Sequence, residues 1–251
     1  MRGWLALVVI GLVGLALPAQ ENKSLTLRWF GQSFFQLTTT TGTRIAFDPH
    51  AIIEYNRPVI AADLVLVSHL HNDHTQMEAI ENRATAKLVL GLKPGGKVPD
   101  WNLVDEKFRD CTFRAVGVFH DQTNGMERGK NTAFVVKVDG LTFVHLGDLG
   151  HTLSPEQIKK IGPVDVLMIP AGGVYALNGT DAKKVIEQLK PTRFVLPMHY
   201  GTKVYEDLLP LDEFLDGASN VKKMQGANEL TINPADPAPA QPSIVLLGWK
   251  K

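Results

Sequence analysis

The order of elements predicts an α+β sandwich, with two β-sheets face to face and helices on the outside. Three observations carry that expectation. Up to about Leu146 the chain is a run of short strand-like segments broken by tight turns. After that it alternates strand, helix, strand, helix. Its 251 residues, 44% hydrophobic and 21% charged, are ordinary for a globular chain and long enough for one large domain.

Leu25 to Phe30, Ser33 to Thr40 and Thr43 to Phe47 read as successive strands, with Gly31-Gln32 and Thr41-Gly42 as two-residue turns. Asp63 to Ser68 and Lys87 to Gly91 are further strands, with Thr75 to Asn82 helical between them. Thr112 to Val118 is strand-like. Thr132 to Val138 and Leu141 to Leu146 form a hairpin around Asp139-Gly140, a strong local signal for a type I′ turn. Ser154-Pro155-Glu156-Gln157 opens a helix with an N-cap and a proline at its first position. Val164 to Ile169 is a buried strand, Thr180-Asp181 caps a helix reaching about Leu189, and Arg193 to Leu196 is a strand. Leu211 to Leu215 reads as helical. The Pro/Ala spacer 234–242 is extended, and Ser243 to Trp249 beyond it is apolar enough to return as an edge strand.

The first 19 residues read as a signal peptide, and 20–251 as the mature domain. Met1-Arg2 is a positive start, Trp4 to Leu17 an apolar and glycine run of 14 residues, and Pro18-Ala19 a break before polar sequence. As a helix that run spans about 21 Å, short of a bilayer core of about 30 Å. Leu17 is not the small residue preferred three positions before a cut at Ala19, so an uncleaved membrane anchor is the alternative. The expected location is periplasmic or secreted. Formal net charge is zero, which gives no electrostatic case for nucleic acid or anionic membrane. Cys111 is the only cysteine, so an intrachain disulfide and a cysteine zinc cluster are both excluded.

Ser68 to His74 reads S-H-L-H-N-D-H. Three imidazoles and a carboxylate thus fall in a loop just past a buried strand. The spacing lets His69 and His71 turn toward one point, while Asp73 and His74 face a second point nearby. Imidazole is the commonest protein ligand for zinc-like metals and carboxylate its hard partner. Three more strand-like runs end on residues of the same kind: Phe119-His120-Asp121, Gly147-Asp148-Leu149-Gly150 and Pro197-Met198-His199-Tyr200.

This set, in this order, resembles the signature of the metallo-β-lactamase superfamily over roughly Leu25 to Ile232. The phrases R-G-K-N-T-A-F and H-L-G-D-L-G-H look most like its ascorbate-phosphate lactonase branch. The resemblance implies a four-layer αββα sandwich with two divalent metal ions at one edge. By matched position, His69, His71 and His120 would hold the first metal and Asp73, His74 and His199 the second, with Asp148 bridging. Asp73 and Asp148 would be catalytic. Zinc suits the imidazole-rich set, and manganese or iron is compatible with it. Two such metals about 3.5–4 Å apart can share a hydroxide and polarise an electrophilic oxygen. The implied activity is cleavage of a small ester, lactone or phosphodiester. The alternatives are a nuclease-like phosphodiesterase and an exported metal-binding protein without turnover.

Other residues keep two readings each. His50 lines the site mouth or lies on a surface loop. His145 is packed inside its strand or supports a ligand. His151 shuttles protons or is exposed. Asp48 and Asp121 orient a ligand or begin turns, and Tyr200 touches substrate or is buried. The loop after His120 carries Arg128 and Lys130, which hold an anionic substrate group or are solvated.

Overall fold

The computed structural model describes residues 24–95, 98–224 and 226–249. The apolar run Trp4–Leu17 and the cut after Ala19 lie outside them. Among the described residues no helix is long and apolar enough to cross a membrane.

Sixteen strands and three short α-helices are described: β1 Leu25–Trp29, β2 Phe35–Thr38, β3 Arg44–Phe47, β4 Leu64–Val67, β5 Lys87–Leu90, β6 Leu92–Lys93, β7 Asp100–Trp101, β8 Asp105–Phe108, β9 Cys111–Phe119, β10 Lys130–Val138, β11 Leu141–His145, α1 Pro155–Ile161, β12 Val166–Pro170, α2 Gly179–Leu189, β13 Phe194–Met198, α3 Asp212–Leu215, β14 Val221–Met224, β15 Glu229–Ile232 and β16 Ser243–Leu247. One sheet runs β15-β1-β2-β3-β4-β5, the other β14-β16-β13-β12-β11-β10-β9-β8, and β6-β7 is a small ribbon. The αββα sandwich implied by the sequence is the architecture observed.

Alternation along the strands sends one set of side chains between the sheets. There Leu27, Leu37 and Phe47 of the first sheet meet Phe113, Phe134 and Phe143 of the second, and all six are buried. The opposite face of the second sheet offers Val116, Val135 and Leu167 to Ile161 of α1 and to Ala182, Val185 and Leu189 of α2. α1 starts at a capping box: the Ser154 hydroxyl accepts from Gln157 N, and the Gln157 side chain accepts from Ser154 N. α2 begins one residue before its expected cap, because the Asn178 side chain, not Thr180, accepts from Asp181 N. The β10–β11 hairpin closes through Asp139 (φ 51°) and Gly140 (φ 77°), as an Asp-Gly type I′ turn requires.

Two expectations fail. The helix over Thr75 to Asn82 is only a 3-10 turn, Met77–Ala79. Past that turn the backbone pairs with a neighbouring segment and does not continue a helix: Ile60 N donates to Ala79 O and Glu81 N to Ile60 O. Asn82 adds a two-way amide clasp on the backbone of Ala62. The returning segment β16 is not an edge strand. It lies between β13 and β14, parallel to both.

β3, β4 and β5 are mutually parallel, as are β11, β12 and β13, while β10 is antiparallel to both β9 and β11. β9, β11 and β13 therefore end at one edge of their sheet. In open sheets with parallel strands this carboxyl edge is where ligands bind.

Candidate metal centre

All seven residues singled out by the sequence leave strand ends. His69, His71, Asp73 and His74 follow β4, with Asn72–His74 wound into a 3-10 turn. His120 follows β9, Asp148 lies three residues past β11, and His199 follows β13 with φ 49°, a left-handed conformation costly outside glycine. The structure gathers six of them into two groups, His69–His71–His120 and Asp73–His74–His199, and a third group joins Asp48 to His69 and His74. Within each, the ligand-type atoms lie within 4.8 Å of one another.

Asp148 sits between the groups. Its Oδ2 lies 3.0 Å from His199 Nε2, 3.2 Å from His74 Nε2, 3.3 Å from His120 Nε2 and 3.9 Å from His69 Nε2. From there its carboxylate could reach ions held by either group. Burial opposes its charge, but His199 and His74 outweigh burial and hold its pKa well below the usual carboxylate range. Asp73 is likewise pulled to about 2: burial raises it, and His74 dominates.

The side chains fit divalent cations. His74 Nε2 is fully buried beside two carboxylates, 3.5 Å from Asp73 and 3.2 Å from Asp148, yet makes no aligned hydrogen bond. A buried donor or acceptor left unmade costs about 1–3 kcal/mol. That atom, together with the clustered imidazole nitrogens and carboxylate oxygens around it, makes a ligand set of the zinc type.

The outer faces of these imidazoles are held too. Asp48, 0% exposed, accepts from Ser68 N (2.6 Å) and Ser68 Oγ (2.6 Å), and its Oδ2 lies 2.9 Å from His74 Nδ1. Ser68 Oγ in turn lies 2.9 Å from His69 Nδ1. One carboxylate thereby fixes a ligand in each group, with Nδ1 turned outward and Nε2 toward the site. Of its two sequence readings, orienting a ligand is the one the structure displays. Two glycines let the loops close. A Cβ on Gly147 (φ 53°) would meet Asn131 Oδ1 at 2.4 Å and Ser68 Cβ at 2.6 Å. One on Gly150 would meet the His120 carbonyl carbon and oxygen at 2.4 Å.

Gln32 and Ser33 were missed by the sequence reading, which saw only a tight turn and a strand start. Ser33 Oγ donates to Asp148 Oδ1 (3.3 Å) and Gln32 Nε2 to Asp73 Oδ2 (3.4 Å). No local signal marks them, since their partners lie 115 and 41 residues away.

Neither reading of His50 holds. It is fully buried, with Nε2 on Gly31 O (3.1 Å), and burial pushes its pKa down to about 4. His145 is packed, stacked on Phe47 and bonded to Ser33 O. His151 accepts from Phe119 N and braces the loop after β9. The Asp121 carboxylate accepts four backbone N–H groups, from Thr123, Gly125, Glu127 and Arg128, and holds that loop in shape. Tyr200 is largely buried and stacks on Trp29. Lys130 pairs with Asp100 (2.7 Å) over the Trp101 ring, whereas Arg128 lines the cavity with His71 and Asp148. That cavity holds about 310 Å³, room for a small molecule. Clefts of about 550 and 630 Å³ lie elsewhere without converging ligands.

Residues 26–199 match the family described as Beta-lactamase superfamily domain. A UPF0173 metal-dependent hydrolase of Thermococcus kodakarensis is 33% identical over 188 residues, which are 69% of this chain and 83% of that one. A candidate Zn-dependent hydrolase of the metallo-β-lactamase superfamily from Thermotoga maritima is 30% identical in its crystal structure. It superposes with a TM-score of 0.66, covering 88% of this chain and 97% of its own. A metallo hydrolase of Ignicoccus hospitalis, 21% identical with a TM-score of 0.61 over 83% and 98% of the chains, shares the fold. The family match reaches from β1 through His199 and so contains both clusters; this chain belongs to the metallo-β-lactamase superfamily.

Proposed function

We propose that the chain is a hydrolase that uses two divalent metal ions, zinc foremost, to cleave a small ester, lactone or phosphodiester. The observation that supports it most is the placement of the Asp148 carboxylate within 3.3 Å of imidazoles from three separate loops. When bound, two such ions supply hydroxide at neutral pH and polarise the electrophilic oxygen of the substrate. The chain's own work is positional. Asp148 and Asp73 hold negative charge between and beside the ions. Ser33 and Gln32 keep those carboxylates aimed, and Asp48 holds His74 with Nε2 inward, and His69 likewise through Ser68. The cavity of about 310 Å³ suits a small substrate.

The phrases R-G-K-N-T-A-F and H-L-G-D-L-G-H support the lactonase-like branch within that reading. Export rests on the first 19 residues. A mature chain beginning near Gln20, found by mass spectrometry of protein from the native host, supports export; intact Met1 in the cytosolic fraction refutes it. The function is tested by screening metal-loaded protein on ester, lactone, phosphodiester and β-lactam panels. Turnover lost on chelation and restored by zinc supports the proposal. Full metal occupancy with no turnover of any panel favours a metal-binding protein without catalysis.

A further inference from the structure

Two segments besides the ligand residues add Arg128 and Tyr175 to the cavity lining. One is the loop folded around Asp121, whose four accepted N–H groups include Arg128 N at 2.7 Å. The other is the turn after β12, where Val174 has φ 59°. A β-branched residue in that left-handed region is a strained outlier, and such strain gathers at functional sites. The two segments meet through Arg128. Its Nη2 donates to Val174 O (3.3 Å), and its guanidinium lies over the Tyr175 ring, 5.6 Å from the centroid. Arg128 and Tyr175 both line the candidate metal cavity, as does Tyr205. The acidic group nearest the Arg128 guanidinium among the described residues is Glu127, at 3.7 Å, and it is itself well exposed. No carboxylate of the cavity is paired with this arginine.

We propose that Arg128, braced by Val174 O and Tyr175, is the binding site for an oxyanion of the substrate, and that the substrate is a small acid carrying a carboxylate or phosphate beside its scissile bond. The inference rests on the hydrolase reading of the same cavity. The charge balance points the same way. Two divalent cations exceed the two carboxylates of the site, Asp73 and Asp148, before Arg128 is counted, so an anionic ligand is drawn in. A guanidinium held on one side by a carbonyl and a ring keeps donors for a carboxylate or phosphate, which it can take bidentately. Tyr175, 49% exposed, offers a flat face to the carbon skeleton behind that group.

Calorimetric titration of the zinc-loaded full chain with benzoate and with its neutral counterpart benzamide tests this. Wild type should prefer benzoate. Arg128→Ala, with metal content verified, should cut that preference about tenfold or more, the range of one charge-assisted hydrogen bond. Arg128→Lys should restore part of it, because the charge returns without the fork. Tyr175→Ala should weaken both probes together. An unchanged preference in both Arg128→Ala and Arg128→Gln, or no preference for benzoate in wild type, overturns the assignment. Wild-type turnover of the substrate panels is read separately. Benzoate selectivity without turnover would sink the hydrolase reading and leave the oxyanion site standing; turnover without selectivity would do the reverse.

Discussion

Replacing Asp48 by Asn should strip metal from the two proposed ion positions, whose ligand sets do not include Asp48. The change keeps side-chain volume at a fully buried position. It also suits the backbone, because Asp48 has φ 46° and Asn tolerates that region as well as Asp does. What changes is the direction of two hydrogen bonds. The carboxylate accepts from Ser68 N through Oδ1 and from Ser68 Oγ through Oδ2, which also faces His74 Nδ1. If the Asn oxygen stays on Ser68 N, its NH₂ confronts His74 Nδ1–H, donor against donor. His74 must then move its proton to Nε2, the atom that faces Asp73 and Asp148. If the amide turns over instead, its NH₂ confronts Ser68 N–H. Either arrangement leaves a buried donor unmade, at about 1–3 kcal/mol. At 1.4 kcal/mol per decade this weakens metal about 10–100-fold, the usual range for removing a ligand's supporting carboxylate. Competition with a chromophoric chelator would measure it. Ser68→Ala breaks only the branch to His69 and should therefore cost less. Wild-type affinity for both metals in Asp48→Asn, with normal circular dichroism, would refute the orientation argument.

Three further outcomes are expected. Elemental analysis of gently purified, unchelated protein should find close to two transition-metal ions per chain, and a value near zero after supplementation would reject the two-metal assignment. Asp148→Ala should abolish turnover and lose about one metal while keeping much of the fold, since it deletes the charge shared by both groups; a variant with unchanged kcat would remove Asp148 from the site. Metal uptake at pH 7 should release about one proton from His74. Burial alone would depress His74, but Asp148, Asp73 and Asp48 outweigh it and raise its pKa well above 6.5. The protonated imidazole therefore stabilises the metal-free fold fully below about pH 6.5, and that contribution is lost as pH rises through the raised pKa. A bound cation displaces the proton, so affinity should climb with pH until His74 titrates. His69, held well below 6.5 chiefly by burial, adds no proton to the count. Calorimetry in buffers of different ionisation enthalpy reads the release, and identical heats across buffers would contradict it.

The candidate ligand residues stood out because they lie in loops just past strand ends, where a short apolar run stops on polar residues and sequence neighbours stay close in space. His69 to His74 needed no knowledge of the sheets at all. Asp48 was half legible, since a carboxylate before proline reads as a turn until β3 and β4 are set parallel and bring it against Ser68. Gln32 and Ser33 were illegible for the complementary reason. Ser33 matters only once the first sheet lies against the second, a contact fixed by Leu27, Phe47, Phe134 and their neighbours and by nothing local, and Gln32 only once the first sheet has set β4 beyond β2 and β3. The same cause misplaced His50. Polar residues in loops are usually solvated, but this loop is folded under Tyr55 and Phe34, and the ring is neutral and buried. β14 and β15 escaped notice because they are short border strands in their sheets. Val221–Met224 carries two lysines, the device that keeps such borders from pairing with other chains, and it erases the alternation by which strands are read. Arg128 shows how far position along the chain can reach. Its distance from His120 in sequence suggested a place near the metals, but only the Asp121 turn and the strained Val174 carbonyl give the guanidinium a direction, and direction separates a binding group from a solvated charge.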